Sequence, residues 1–209
     1  MSAVAAIDPR RHAQAQAQRI VETVNVALPS SVNRRVLTLT GSVAGEGVTT
    51  VAWTIACALA QDAANRVLYV DANFDAPASE RLLAAPAGGS LVSFLLARCD
   101  LDEAIRPAKD EPAIAVLASG RGDAAHVGSI MDVQVEKAIG LLRASFSYVL
   151  IDAAPPSDSP FTLLLARHSD GAILVTEAGA TPRDAVARTV EQLRTNAQRF
   201  LGIALNRRS

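Results

Sequence analysis

The feature that most limits what this chain can become is one continuous unit. The apolar run RVLTLT leads through the glycine-bearing turn GSVAGEGVTT into a long alanine-rich apolar segment. Val36 to Thr40 reads as a buried strand, a short β-rich run bounded by turn residues. The segment from about Thr49 to Asp62 reads as a helix. A strand that passes directly into a helix needs a crossover before its next neighbour, which favours parallel pairing. The remainder repeats the theme. Further strands are expected at Arg66 to Asp71 (RVLYVD), Ala113 to Ser119 (AIAVLAS), Tyr148 to Asp152 (YVLID), GAILVT and LGIALN. Between them fall the helical stretches SERLLAA, LVSFLLARC, Met131 to Arg143 and FTLLLARHS. A last long helix has Thr181 as its expected N-cap and Pro182 in its first turn. The expected fold is α/β, a doubly wound, mostly parallel sheet with helices on both faces.

Composition agrees. Of the 209 residues, 50% are hydrophobic and only 4% aromatic, which suits α/β layers better than a ring-rich β sandwich. A single domain is expected over residues 35–209. Residues 1–34 read as a small, polar tail running into a short helix, RIVETVNVAL, stopped by Pro29. The formal net charge of -1 gives no general attraction to nucleic acid or anionic lipid. No run approaches the ~18 apolar residues of a membrane span, and the N-terminus lacks a signal pattern. Cys57 and Cys99 lack metal-ligand spacing, and Cys57 reads as a small buried hydrophobe. The expectation is a cytoplasmic protein with no direct membrane span and no nucleic-acid partner.

Ligands of such sheets bind at the carboxyl ends of the strands, and three features gather there. Gly45 and Gly47 allow backbone N–H groups to turn toward phosphate oxygens at the positive end of the following helix. Thr49 stands where a hydroxyl would bind Mg²⁺. Asp71 and Asp152 end two separate strands, where carboxylates hold a hydrated Mg²⁺ or orient an attacking oxygen. Either acid would also serve as a plain turn or helix cap. Loop and acids together point to a phosphate-loop (P-loop) nucleotide-binding fold.

With those motifs in view, the chain resembles the bacterial tyrosine kinases and related cytoplasmic ATPases of capsule and exopolysaccharide export. These sit within the larger group of partition and division-site ATPases. The resemblance runs through TGSVAGEGVTT, LYVDANFDAP, GGSLVSFLLARCDLDEAI, IAVLASG, YVLIDAAPPSDSP, GAILVTEAGATPRDAVARTVEQL and LGIALNR, about Arg35 to Arg207. It implies ATP and Mg²⁺ as ligands, held by Gly45, Glu46, Gly47, Val48, Thr49 and Thr50. It implies Asp71 and Asp152 as the acids of the reaction, with Thr49, Asp71 and Asp152 around the metal. Asn206 falls where relatives read adenine; its alternative is a strand-end turn residue.

The departures shape the functional expectation. Val48 replaces the lysine of the loop, and a charge-assisted hydrogen bond is worth about 1.5–3 kcal/mol in binding. Phosphoryl transfer depends chiefly on charge stabilisation, so catalysis suffers more than binding. The acidic motif reads Asp71-Ala72-Asn73-Phe74-Asp75, with Asn73 in place of an acid and Asp75 in place of an arginine. Position Val43 lacks the second lysine of the partition ATPases. The chain ends at NRRS without the kinases' tyrosine cluster, and its two tyrosines, Tyr69 and Tyr148, fall in expected strands. The family's subunit-contact pattern finds only Glu22, Asn25 and Leu28. The expected function is a degenerate, non-catalytic pseudo-ATPase with weakened ATP and Mg²⁺ binding. It would partner a membrane chain-length regulator or another polysaccharide-export protein, and reach the inner membrane through that partner. The alternative is an active ATPase or protein-tyrosine kinase whose missing cation comes from another residue or a partner.

Overall fold

The computed structural model describes residues 9–28, 34–120 and 123–206; the part of the expected tail before Pro9 lies outside them. The first strand, β1 (Arg35–Gly41), pairs in parallel with β5 (Tyr148–Ala153) on one side and β6 (Gly171–Glu177) on the other. Beyond β5 lie β2 (Val67–Ala72) and β4 (Ile114–Leu117), and beyond β6 lies β7 (Phe200–Asn206), all parallel. A three-residue strand, β3 (Ile105–Pro107), pairs antiparallel with β4 and closes one edge of the seven-stranded order β3-β4-β2-β5-β1-β6-β7. This strand was not expected. A run as short as Ile-Arg-Pro shows no alternation, and its proline suits only an edge.

Alternation along the strands divides the core into two faces. Leu37, Leu39, Val67, Tyr69 and Leu150 pack toward α1 (Pro9–Ala27) and α2 (Val48–Ala60). Val36, Leu68, Val70, Val149 and Ile151 pack toward α4 (Leu91–Leu95), α6 (Asp132–Ser145) and α7 (Phe161–His168). Strands buried on both faces read as continuous apolar runs, which is why they were legible. The helix expected to open at Arg19 begins at Pro9 instead. Ala17, Val21 and Val24 recur at helical spacing, and with Leu28 they are buried in the same cluster as α2. Ala13 to Gln18, read as tail, therefore belongs to a helix that covers the sheet.

Short elements complete the carboxyl edge. The stretch SERLLAA forms only α3 (Ser79–Leu82), and a one-turn helix, α5 (Leu101–Ala104), precedes β3. The last helix is α8 (Arg183–Asn196). Its N-cap position is Pro182, not Thr181, and no side chain caps it. Cys57 is half-buried rather than buried. Burial first, then the charge of Glu111, pushes its thiol up to about 11, so it stays protonated and unreactive.

Candidate functional site

The loop between β1 and α2 is held in shape from inside. Gly45 and Gly47 adopt φ of 88° and 86°, left-handed values that cost glycine little and other residues more. Glu46 is almost fully buried at 2% exposure. Its Oε2 accepts hydrogen bonds from the N–H groups of Ser42 at 2.5 Å and Val43 at 3.0 Å. Its Oε1 accepts from the Thr181 hydroxyl, which also accepts from the Glu177 N–H at 3.0 Å. Asn206 Nδ2 donates to the Glu46 carbonyl at 2.9 Å. A Cβ on Gly41 would come within 2.7 Å of Glu46 Oε2, so the glycine at the end of β1 makes room for this carboxylate.

Two residues expected from sequence at the ligand, Glu46 and Asn206, and one expected as a helix cap, Thr181, make contacts inside the protein. Glu46 organises the loop, Asn206 clasps it, and Thr181 ties it to the start of α8. No local signal marks Thr181, because its partner Glu46 lies 135 residues away. Val48 folds back over the end of β1, with Cγ2 3.3 Å from where a Gly41 Cβ would stand. Its side chain offers the loop methyl groups and neither a charge nor a donor. Thr50 is exposed, and its carbonyl accepts from the Thr54 hydroxyl at 2.7 Å.

The two acids lie opposite one another in the β2–β5 register and are fully buried. Strand alternation sends both side chains to the face that carries α2. Asp152 Oδ2 accepts from the Thr49 hydroxyl at 2.6 Å and from the Tyr69 hydroxyl at 2.5 Å. Among the described residues its other oxygen, Oδ1, has no hydrogen-bond partner, nor do the buried hydroxyls of Ser42 and Ser119. Burial raises the Asp152 carboxyl to about 6 against the pull of those two hydrogen bonds; the charge of Asp71 adds to the rise and that of Arg81 opposes it. Tyr69, wedged edge-on against Trp53 with ring centroids 5.6 Å apart, is itself raised well above its usual range, first by burial and then by Asp152. Sequence reasoning placed Tyr69 in a strand and missed that its hydroxyl reaches the acid.

Asp71 is differently placed. Oδ2 accepts from the Ser79 N–H at 2.7 Å and Oδ1 from the Asn73 N–H at 3.2 Å. Burial raises its pKa while these backbone donors lower it. Each oxygen thus accepts a backbone N–H from the turn that leads into α3. Asn73 in turn accepts from the Ala76 N–H at 3.3 Å.

The donor set has the chemistry for a hydrated Mg²⁺ at Thr49 and Asp152. A hard cation takes hydroxyl and carboxylate oxygens, and a buried unpaired carboxylate oxygen calls for some partner. Among the described residues no group of three or more His, Cys, Asp or Glu side chains forms a metal site, so most coordination would come from water and phosphate.

Comparison with known proteins agrees with this architecture. No protein-family model matches the chain. It is 29% identical over 179 residues to tyrosine-protein kinase CpsD of Streptococcus agalactiae, covering 85% of this chain and 76% of that protein. It is 26% identical over 179 residues to tyrosine-protein kinase YwqD of Bacillus subtilis, covering 85% and 75%. Among solved structures, the kinase domain of Escherichia coli tyrosine kinase ETK superposes with a TM-score of 0.81 at 18% identity, over 91% of this chain and 73% of that one. Cobyrinic acid a,c-diamide synthase from Mycobacterium smegmatis, solved with ADP and magnesium, superposes with a TM-score of 0.71 at 19% identity, over 82% and 74%. At these identities the structural matches establish the P-loop NTPase-like fold.

Proposed function

We propose that this chain, which is similar in sequence to the tyrosine-protein kinases CpsD and YwqD, is a non-catalytic member of their family acting as a regulatory or scaffold partner in polysaccharide synthesis or export. The observation that carries the reading is Val48. Its side chain lies over the end of β1 and offers neither charge nor donor to a phosphate. Positioned charge is most of what a phosphoryl-transfer enzyme supplies, so a loop of this composition keeps the cradle and loses the acceleration. Asp71 supports it as well, because both its oxygens serve the backbone of the α3 turn.

Nucleotide occupancy and catalysis are separate matters. The glycine turn, Thr49 and the free oxygen of Asp152 are suited to a Mg²⁺–nucleotide, with the metal neutralising phosphate charge when bound. Weak occupancy without turnover is the expected state. The partner is taken to be a membrane chain-length regulator or another export protein with a cytoplasmic segment. Cytoplasmic placement at the inner membrane, through that partner, is part of the proposal. Among the described residues no helix is long and apolar enough to cross a membrane.

The test is ATP turnover by the purified protein beside its Asp152→Ala variant. Equal, background-level rates are expected. A rate above background that Asp152→Ala abolishes would overturn the reading. A second reading, an active ATPase or tyrosine kinase completed by a cation in trans, is favoured by the intact Thr49–Asp152 contact. It requires turnover to appear when the partner's cytoplasmic segment is added.

A further inference from the structure

The sheet has two edges, and only one of them is blunted. Strand β3 at the first edge is three residues long and ends in Pro107, a form that discourages further pairing. Strand β7 at the other edge has seven residues and no proline, and among the described residues β6 is its only strand neighbour. The register shift in this pair lies at its start, between Ala172 and Ile173 of β6; Ile203 to Asn206 then run regularly beside Leu174 to Glu177. The Asn206 carbonyl accepts the Ala178 N–H at 2.8 Å. Residue 206 therefore faces β6, as does 204 by alternation, and Ile203 and Leu205 turn their own N–H and C=O groups to the open edge.

The side chains of the same two residues are bare as well. Ala204 packs into the α2 layer, which assigns Ile203 and Leu205 to the α8 face. Helix α8 does not cover them, and they are 50% and 63% exposed. Cations bracket the strand. Arg194, over the Phe200 ring at 5.9 Å, and Arg199 are exposed at its start, and Arg207 and Arg208 follow it in sequence. The acids beside them, Glu191 on α8 and Glu177 at the end of β6, leave the set net positive. These charges select among occupants. An antiparallel pairing with β7 of a second copy, set so that Ile203 meets Leu205, would bring the arginines at the start of each strand toward those that follow the other. Like charges across such a pair are destabilising, and charge at a sheet edge guards against self-pairing.

We propose that the free edge of β7 is a docking strand for an extended, acidic segment of another protein, which adds to the sheet through the backbone of Ile203 and Leu205. Strand addition draws affinity from main-chain hydrogen bonds and selectivity from alternate side chains. Here that selectivity calls for apolar residues at every second position, to lie against Ile203 and Leu205. It calls for carboxylates between them, within the field of Arg194, Arg199, Arg207 and Arg208. The residue after Leu205 is Asn206, which clasps the phosphate loop through the Glu46 carbonyl, so the docking strand adjoins the candidate nucleotide site. The inference deepens the scaffold reading by giving its partner a place, and it rests on that reading only for the existence of a partner.

The experiment is fluorescence anisotropy of a labelled peptide of alternating glutamate and valine, titrated with the full chain. A lysine–valine peptide and an acidic peptide with a central proline run beside it. The wild type should bind the acidic peptide saturably, more weakly as salt rises, and at least about tenfold more tightly than the other two. Leu205→Pro removes an outward N–H without touching the β6 ladder and should cost about tenfold in affinity, with circular dichroism and thermal melting as checks of the fold. Leu205→Thr, which keeps the backbone donor, and Arg194→Glu should each cost about threefold, and they carry the test if Leu205→Pro melts early. A wild type that does not bind the acidic peptide, or binds the lysine peptide as well, would overturn the proposal, as would variants that all titrate like the wild type. Sedimentation covers the other occupant: a wild-type dimer that Leu205→Pro dissociates would give the edge to a second copy and overturn the proposal. None of these outcomes touches the non-catalytic reading, which falls only to Asp152-dependent turnover.

Discussion

Asp152 concentrates two hydrogen-bond donors on one oxygen and none on the other. Burial leaves its carboxyl at about 6 and raises Asp71 in the same direction. A folded carboxyl that binds its proton more tightly than the unfolded chain makes stability fall as pH rises. For Asp152 the fall should run from the ordinary value of 3.8 to about 6 and then level off. Urea unfolding at a series of pH values checks this, and stability that instead rises through that window would contradict it. Tyr69→Phe removes a donor that lowers the pKa, so it should extend the fall to higher pH. At Val48, substitution by lysine should strengthen Mg²⁺–nucleotide binding about tenfold if the loop keeps its shape. Calorimetry showing no gain would mean that the inward-turned Glu46, not the missing ammonium, limits the site. Strand-terminal position made Asp71 and Asp152 visible in the sequence. Which of their oxygens remain available did not follow from position, because donors from the turn, α2 and β2 decide it.

Loop, α8 and β7 form one mechanical group, joined by the Glu46–Thr181 and Asn206–Glu46 hydrogen bonds. Gly47 sits where a Cβ would collide with Asn206 Nδ2, and its φ of 86° disfavours any side chain. Gly47→Val should therefore cost roughly 1–3 kcal/mol of stability even without ligand, read as a lowered Tm. An unchanged melting temperature would show that the clasp is dispensable. Helix α1 belongs to the core in the same material sense. Leu28, compared above with a subunit-contact position, is 4% exposed and packs with the sheet. Leu28→Ala should cost about 2–4 kcal/mol in chemical denaturation, and a loss under about 0.5 kcal/mol would mean that this end of the chain packs loosely. Helix α1 was misjudged because its polar face dominates the composition of Pro9 to Gln18. Its few apolar residues acquire meaning only against α2.

Across the whole molecule, two apolar layers share one sheet, and Trp53 and Tyr69 meet where α2 crosses it. Loss of helix by circular dichroism and loss of Trp53 fluorescence should therefore coincide in denaturant; separate midpoints would indicate that α1 and α2 detach before the sheet. The sequence by itself determined the α/β alternation, the parallel pairing of most strands, the loop and the acids at strand ends. Those follow from short-range chemistry: apolar runs, glycine turns and residue order along the chain. Only the tertiary structure decided that Tyr69 reaches Asp152, 83 residues away, that Glu46 turns inward to Thr181, 135 residues away, and that the Ser79 N–H at the start of α3 meets Asp71. Such partnerships arise when distant segments pack, because a buried donor or acceptor must find whatever complementary group the fold sets beside it.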